Sequence, residues 1–463
     1  MKQPFITKKI QIAVGAVILA SVVAGGTLSA GALSAGASTS QVTLTVAYPS
    51  VYAFDTGSLA SKWWNQVKAD FTKEHRNVKV DYIPIPGSYQ DIVNKLSLLY
   101  RTASTAPDVA EMPSAQIGLW SSSGYLLPMN KYLATSSWFK SFPKVIQGEG
   151  EFSGKFYAVN CGENDSALMY NKTMFKKAGI PVPWNPTSWR DIITAAQKIK
   201  KALPGVTPLW LNAGTGSGAN GLLQGINNFI VGSTTPTIET QSGKMVVASP
   251  GINEALSFYR NAYADGLGAS ESDLFSPNAV TDPLSLFKEG KLAIAVGSNY
   301  YGGNWTKFVS APYWPQARSI MGVANLPRYT GKGIASTLAG WDLAISSHAK
   351  NAQLAYDFIN VAQNPTNLID AANWAGWVPP VESDWKLPAY TNFAPPYNAD
   401  FAKILPSATE TPTSANYSVW VQGMGEATGQ FVQNPHTTVA QALSTLKTYV
   451  TEQLGSSAVT TLK

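Results

Sequence analysis

The chain has 463 residues, 45% of them apolar and 13% charged, about half the ~25% charge of an average globular protein. That length and composition build a core without staples and exclude a disordered chain, while the single cysteine, Cys161, excludes an intrachain disulfide and a cysteine-clustered zinc site. Of the 34 Lys and Arg, Lys2, Lys8 and Lys9 lie at the extreme N-terminus, leaving 31 against 28 acids; with no long basic run, nucleic acid is not an expected partner.

Residues 10–37 carry no charge. Ile10, Ile12, Val14, Val17, Ile18, Leu19, Val22 and Val23 form an apolar centre, and small residues with Ala-x-Ala patterns at 30–32 and 35–37 follow. Basic, then apolar, then small is the layout of a secretory signal peptide; the same stretch is also long enough for an uncleaved anchor. Either way the remainder is expected outside the cytoplasm: at the cell surface, in the periplasm or secreted. No Cys stands near residue 37, so a lipoprotein anchor is not expected, and no later segment has 18 uncharged apolar residues.

Beyond the leader, residues 42–47 alternate as a strand. Leu59, Trp63, Val67 and Phe71 form a helical stripe, 78–83 a second strand, 89–100 a helix and 108–112 a third strand. Strands alternating with helices predict a parallel α/β sheet. Later, 156–160 reads as a short strand and 188–202 as a helix capped by Ser188. Residues 208–212 read as a strand, followed by a Gly-rich loop over 213–221. Helices are expected at 253–263, 283–289, 349–362 and 438–454, and strands at 292–296 and 343–346. Two α/β lobes are the natural reading.

Several chemistries lack their motifs. There is no G-x-S-x-G, no phosphate-binding G-x-x-x-x-G-K-[ST] and no H-E-x-x-H, and the three histidines, His75, His348 and His436, are scattered. The formal G-x-G-x-x-G at Gly216–Gly221 lacks the strand and acid a dinucleotide site needs, so it reads as a flexible polar surface loop and no cofactor is expected. Glu111, Glu163, Asp165 and Glu410 supply carboxylates, but no spacing marks the opposed pair of a glycoside hydrolase.

The most informative stretch is 168–202. Tyr170-Asn171-Lys172, Phe175, Ala178-Gly179, Pro186 and Ser188-Trp189, leading into an amphipathic helix, together resemble the signature of family 1 extracellular solute-binding proteins, the sugar-binding receptors of ABC importers. Ser188 stands where that family usually has Thr. Further segments fall in family order: Pro107-Asp108-Val109, Gly124-Tyr-Leu-Leu-Pro128, Phe287-Lys-Glu-Gly290-Lys-Leu-Ala293, Leu338-Ala-Gly-Trp-Asp-Leu-Ala-Ile345, and Gly376-Trp-Val-Pro-Pro380. The resemblance covers nearly all of 42–454.

It implies a two-lobed, periplasmic-binding-protein-like α/β fold with a hinge and an interlobe cleft: residues 38–159 plus 327–362 in lobe I, residues 160–326 plus 363–463 in lobe II, and crossings near 159–161, 324–327 and 361–365. It implies a non-enzymatic monomer that takes a carbohydrate and meets the membrane subunits of an ABC permease. Sugar sites pair aromatic plates with groups for hydroxyls. By the family's pattern the plates are Tyr300 and Tyr301 after the strand at 292–296, Trp341 after the Ala339-Gly340 turn, Trp377 in the Gly-x-x-Pro loop and Trp420. Ser114, Gln116, Glu163, Asn164 and Asp165 are the polar candidates, with Gly340 at the cleft turn and Tyr52 and Asp55 as weaker ones. Trp63, Trp189 and Trp210 read as core, Trp64 as either, Asn171 and Lys172 as structural, and Cys161 as a buried filler. Rival readings are a receptor for a polyol or glycerol phosphate ester, an exported glycan hydrolase, and a surface-layer or adhesion protein.

Overall fold

The computed structural model describes residues 41–50, 58–216, 218–276, 278–306, 313–392 and 397–463. The leader over 1–37, Tyr52 and Asp55 lie outside them.

The strands that matter are β1 (Val42–Pro49), β2 (Val78–Ile85), β3 (Val109–Pro113), β4 (Ala158–Gly162), β5 (Ser166–Asn171), β6 (Thr207–Trp210), β7 (Leu292–Ser298), β8 (Met321–Ala324) and β9 (Trp341–Ile345). They form two separate sheets, ordered β2-β1-β3-β9-β4 and β8-β5-β7-β6. β1 runs parallel to β2 and β3, as helix-alternating strands must. The expectation of a parallel sheet is corrected by β9. It inserts antiparallel between β3 and β4, with Asp342 opposite both Met112 and Asn160. In the second sheet β7 is parallel to β6 and antiparallel to β5, and β5 is antiparallel to β8. The short strand expected at 156–160 is two elements, a tight hairpin of Glu151–Phe152 with Lys155–Phe156, then β4.

The inner strands β5 and β7 are buried on both faces, hence their near-continuous apolar runs, while the edge strand β2 stays partly exposed. Helix Ser58–Glu74 places Trp63, Val67 and Phe71 in the core of the first body, where Trp64 stacks on Phe358. On the second body, helix Trp189–Ala202 buries Trp189, Ile192, Ala195, Ala196 and Ile199. Ser188 caps it: its side chain accepts from the Asp191 N–H while Asp191 accepts from the Ser188 N–H, which satisfies two otherwise orphaned donors. Lys200 and Lys201 close its last turn, the favourable end for cations.

Asn171 is structural, capping the helix Lys172–Lys177 through the N–H groups of Thr173 and Met174. Helices Ile226–Gly232 and Tyr417–Gln433, and the pairing of Met245–Ala248 with Val459–Thr461, carry no clear sequence signal, whereas Pro365–Ala375 is marked by its Asn364 cap, its leading Pro and Gly376 at its end and was missed. The first is buried throughout, so it lacks the polar stripe that gives a helix its period.

The chain passes from the first sheet to the second through residues 163–165, between β4 and β5, and returns between β8 and β9. Helix Pro365–Ala375 packs on Ser58–Glu74 and β4 on one side and on Tyr300–Asn304 on the other. There Gly303 and Gly376 meet backbone to backbone, and a β-carbon on Gly303 would fall 2.6 Å from the Gly376 Cα.

Candidate functional site

A cavity of about 600 Å³ opens between the two sheets. One wall comes from the start of helix Tyr89–Leu99, the end of β3 and the turn into β9: Gly87–Gln90, Pro113–Ala115 and Ala339–Trp341. The other comes from Asn164 and Ser166, the 216–224 segment, Asn278–Thr281 and the end of β7 at Ser298–Tyr300. Both walls use the carboxyl ends of strands, where open α/β sheets leave a crevice.

Local chemistry fixes each wall. Ser88 and Asp91 form a capping box, so the helix starts at a set angle and presents Ser88, Tyr89 and Gln90 to the cavity. The Tyr89 ring meets the Trp341 indole edge to face at 6.2 Å, and burial pushes its hydroxyl up to about 12. Across the cavity the Tyr300 hydroxyl lies 3.0 Å from both Gln224 Oε1 and the Val280 carbonyl. Gln224 in turn donates to Asn220 Oδ1 at 2.6 Å. Asn164 donates from Nδ2 to the Ala339 carbonyl at 3.2 Å, tying the two crossing segments together.

Of the residues expected at the site, Ser114, Asn164, Tyr300, Gly340 and Trp341 line this cavity. Trp341 is the first residue of β9 rather than a loop residue, and it is 7% exposed. Gln116 lies behind the wall, beside Tyr89. Tyr301 is packed inward against Tyr300 and Trp305. Trp377 lies over Gly162, where any β-carbon would fall 1.9 Å from its ring. Trp420 belongs to helix Tyr417–Gln433, not a loop; it is fully buried and its Nε1 donates to the Val246 carbonyl at 2.7 Å.

Glu163 and Asp165 flank Asn164 but are buried, with carboxyls raised by burial, Glu163 to about 8. Cys161 is buried, its thiol 3.2 Å from the Trp341 carbonyl and raised well above its ordinary value by burial and then by Glu111 and Asp342. That environment suits a filler and not a nucleophile.

The stretch expected to be a flexible surface loop at 213–221 is corrected. Gly218–Leu223 is a helix, and Gly216 and Asn220 line the cavity. The glycines serve close packing: Gly216 sits where a β-carbon would press at 3.0 Å on the Phe275 carbonyl oxygen. Sequence reading missed Ser88, Tyr89, Gln90, Asn220, Gln224, Asn278 and Thr281. The Ser88-x-x-Asp91 box was the one available signal, marking a helix start at a strand's carboxyl end; Asn278 and Thr281 offered none.

No group of three His, Cys, Asp or Glu side chains fit to hold a metal ion occurs among the described residues. Nor, among them, is any helix long and apolar enough to cross a membrane.

Two mixed α/β sheets, crossed by the chain more than once and separated by a cleft at their strand ends, define a two-lobed binding-protein fold. The chain belongs to the bacterial extracellular solute-binding proteins, whose family profile matches residues 56–368. It is similar to a probable ABC transporter-binding protein of Deinococcus radiodurans, 28% identical over 243 residues, and spans about half of that relative's length: 51% of this chain and 53% of the relative. It is also 28% identical to a mannitol-binding protein of Pseudomonas aeruginosa, over 59% of this chain and 60% of that one. In fold it is similar to maltose-bound MalE3 of T. maritima, with a TM-score of 0.72 and 20% identity over 89% of this chain and all of that one. The family and these relatives are binding proteins, not enzymes. The lobes, hinge and cleft are those of a periplasmic-binding-protein-like fold.

Proposed function

We propose that the chain is an exported receptor that takes an uncharged sugar, sugar alcohol or short oligosaccharide into the cleft and delivers it to an ABC permease. The observation that carries this reading is the lining. Among the described residues it holds Ser, Thr, Asn, Gln, Tyr and Trp side chains with small and aliphatic ones, and no Lys, Arg, His, Asp or Glu. Neutral polar groups match hydroxyls, and the Trp341, Tyr89 and Tyr300 rings offer plates for C–H faces. A glycerol phosphate ester would call for a cation in the wall. The P. aeruginosa relative is named for mannitol and the T. maritima structure for maltose, both uncharged.

In this reading Ser114, Asn164, Tyr300, Gly340 and Trp341 contact the ligand, joined by Ser88, Tyr89 and Gln224. The body of the first sheet, which includes β4 through Gly162, moves against the body of the second, turning on residues 163–165 and on the return between β8 and β9. Ligand binds the closed arrangement better, and that difference in affinity drives closure. Transport energy comes from the permease. Residues 1–37 direct export, cleaved or retained, and the receptor works as a monomer.

Thermal unfolding of residues 38–463 against mono-, di- and oligosaccharides, mannitol and glycerol 3-phosphate tests this. A ligand at a hundredfold excess over Kd stabilises by about 2.7 kcal/mol. The expected result is a shift with an intact neutral sugar or polyol that Trp341→Ala abolishes. A shift with the phosphate ester alone overturns the neutral-ligand reading, and recovered cleavage products overturn the receptor reading.

A further inference from the structure

Directly behind the cavity wall lies a layer of acids. Glu149 ends the helix Lys144–Glu149, Glu163 follows β4, and Asp342 stands in β9 opposite Asn160; all three are at most 1% exposed. Asn160 Nδ2 bridges Glu163 Oε2 at 3.0 Å and Glu149 Oε2 at 3.3 Å. The two glutamates are thus held on one amide, and burial and the charge of Glu163 both raise the Glu149 carboxyl. Both Asp342 oxygens are buried without a hydrogen-bond partner. Glu111 on β3, Cys161 on β4, Asp165 before β5 and Glu410 near Gly148 also face the layer or adjoin it. None of the ion pairs among the described residues involves Glu149, Glu163 or Asp342.

This layer holds the cleft's geometry. Glu163 Oε1 accepts from the Asn164 N–H at 3.0 Å and from the Ala339 N–H at 3.2 Å. Those residues sit on the two segments that pass between the sheets, and both line the cavity. Gly340 is seated on the same acids: a β-carbon there would fall 2.3 Å from Asn160 Nδ2 and 2.9 Å from Glu163 Oε2. Trp341 follows it into the cavity wall, and Asp342 follows Trp341 into the layer. Adding charge to this layer repels its members and invites water between them, because no ion pair among the described residues neutralises Glu149, Glu163 or Asp342.

We propose that Glu163 is a positioning residue of the cleft, packed beside the buried carboxyls of Glu149 and Asp342 so that Asn164 and the Ala339–Trp341 turn keep their binding spacing only while the layer remains uncharged. The receptor then binds at acidic and neutral pH and releases its ligand in alkali. Burial raises all three carboxyls, and neighbouring carboxylates raise them further, which is the direction this requires. The ligand half of the inference rests on the receptor reading; the movement of the wall does not.

The test therefore begins without ligand. Trp341 fluorescence, taken as the difference between the chain and its Trp341→Phe variant, is followed from pH 5.5 to about 9.5. The expected result is an alkaline transition that Glu163→Gln removes and Glu149→Gln moves to lower pH, since a neighbouring carboxyl that opposes ionisation is gone. No transition, or one unmoved in both variants, overturns the proposal. With a ligand from the sugar panel, Kd is expected to weaken at least about tenfold between pH 6 and pH 9, and less than about threefold in Glu163→Gln. Equal slopes in the two proteins overturn the positioning role. A fluorescence transition as described, with no sugar bound at pH 6, supports the layer and counts against the receptor reading alone.

Discussion

The two sheets have the same kind of burial and opposite chemistry. In the second, β5 and β7 face each other with Leu168 against Val296 and Met169 against Ala295, apolar against apolar. In the first, the seam of β3, β9 and β4 buries Glu111, Asn160, Cys161 and Asp342 among its apolar neighbours. Apolar strands hold their packing at any pH, whereas buried carboxyls hold theirs only when neutral. One lobe is thus a passive platform, and the other carries its strain where the chain crosses to the cleft. The comparison teaches that depth of burial alone does not describe a core: the second sheet gains from losing water, while burial in the first raises its carboxyls and works against their charge.

The largest expected effect lies in the passive sheet. Ile294 is fully buried in β7, and Ile294→Ala should cost about 2–5 kcal/mol. Chemical denaturation at pH 6 and pH 8.5 checks it, and the loss should be the same at both. The next effect is proton-linked. Glu163 titrates at about 8 in the folded chain against an ordinary 4.5. As pH rises past 4.5 the unfolded chain gives up its proton while the folded chain keeps it. This contribution is therefore full below 4.5 and is lost progressively up to about 8, at no more than about 1.4 kcal/mol per pH unit. Denaturation midpoints across pH 5–8 should fall in the chain and fall less in Glu163→Gln; a flat profile would erase the contrast between the sheets.

Smaller effects sharpen it. Ser188→Ala removes the cap of the helix covering the second sheet and should cost about 1 kcal/mol, without changing the pH slope. Smallest is Lys291→Ala, which breaks an exposed pair with Glu289 at 2.7 Å. It should change stability by no more than about 1 kcal/mol, and that little should fade in salt. A large effect would mean that surface charge matters as much as the buried layer.

Elements with a period or a cap were legible in the sequence. The stripe through Trp63, Val67 and Phe71, the helix behind Ser188 and the alternating β1 all appear where expected. What periodicity cannot carry is pairing. Nothing local to residues 341–345 says that they run antiparallel between strands some 180 and 230 residues earlier in the chain. The site divided in the same way. Ser114, Asn164, Tyr300, Gly340 and Trp341 come from segments whose order along the chain marks strand ends, and they line the cavity. Trp377 and Trp420 were chosen as loop aromatics, but one is packed over Gly162 and the other sits in a helix. An aromatic ring satisfies a core as readily as a cleft, and composition does not distinguish the two. The acid layer was invisible because Glu149, Glu163 and Asp342 come from three segments far apart in the chain.

The place of β9 also bears on synthesis. The first sheet has β1, β2 and β3 in hand once residue 113 is made, but β4 has no partner in it until residues 341–345 arrive to bridge β3 and β4. The pairing of Met245–Ala248 waits longer still, for Val459–Thr461 at the far end of the chain. A growing polypeptide of this design stays an open, incomplete body for most of its translation. The β4–β9 and Met245–Ala248 pairings are thus made across long stretches of chain, the slow and exposed way to complete a sheet.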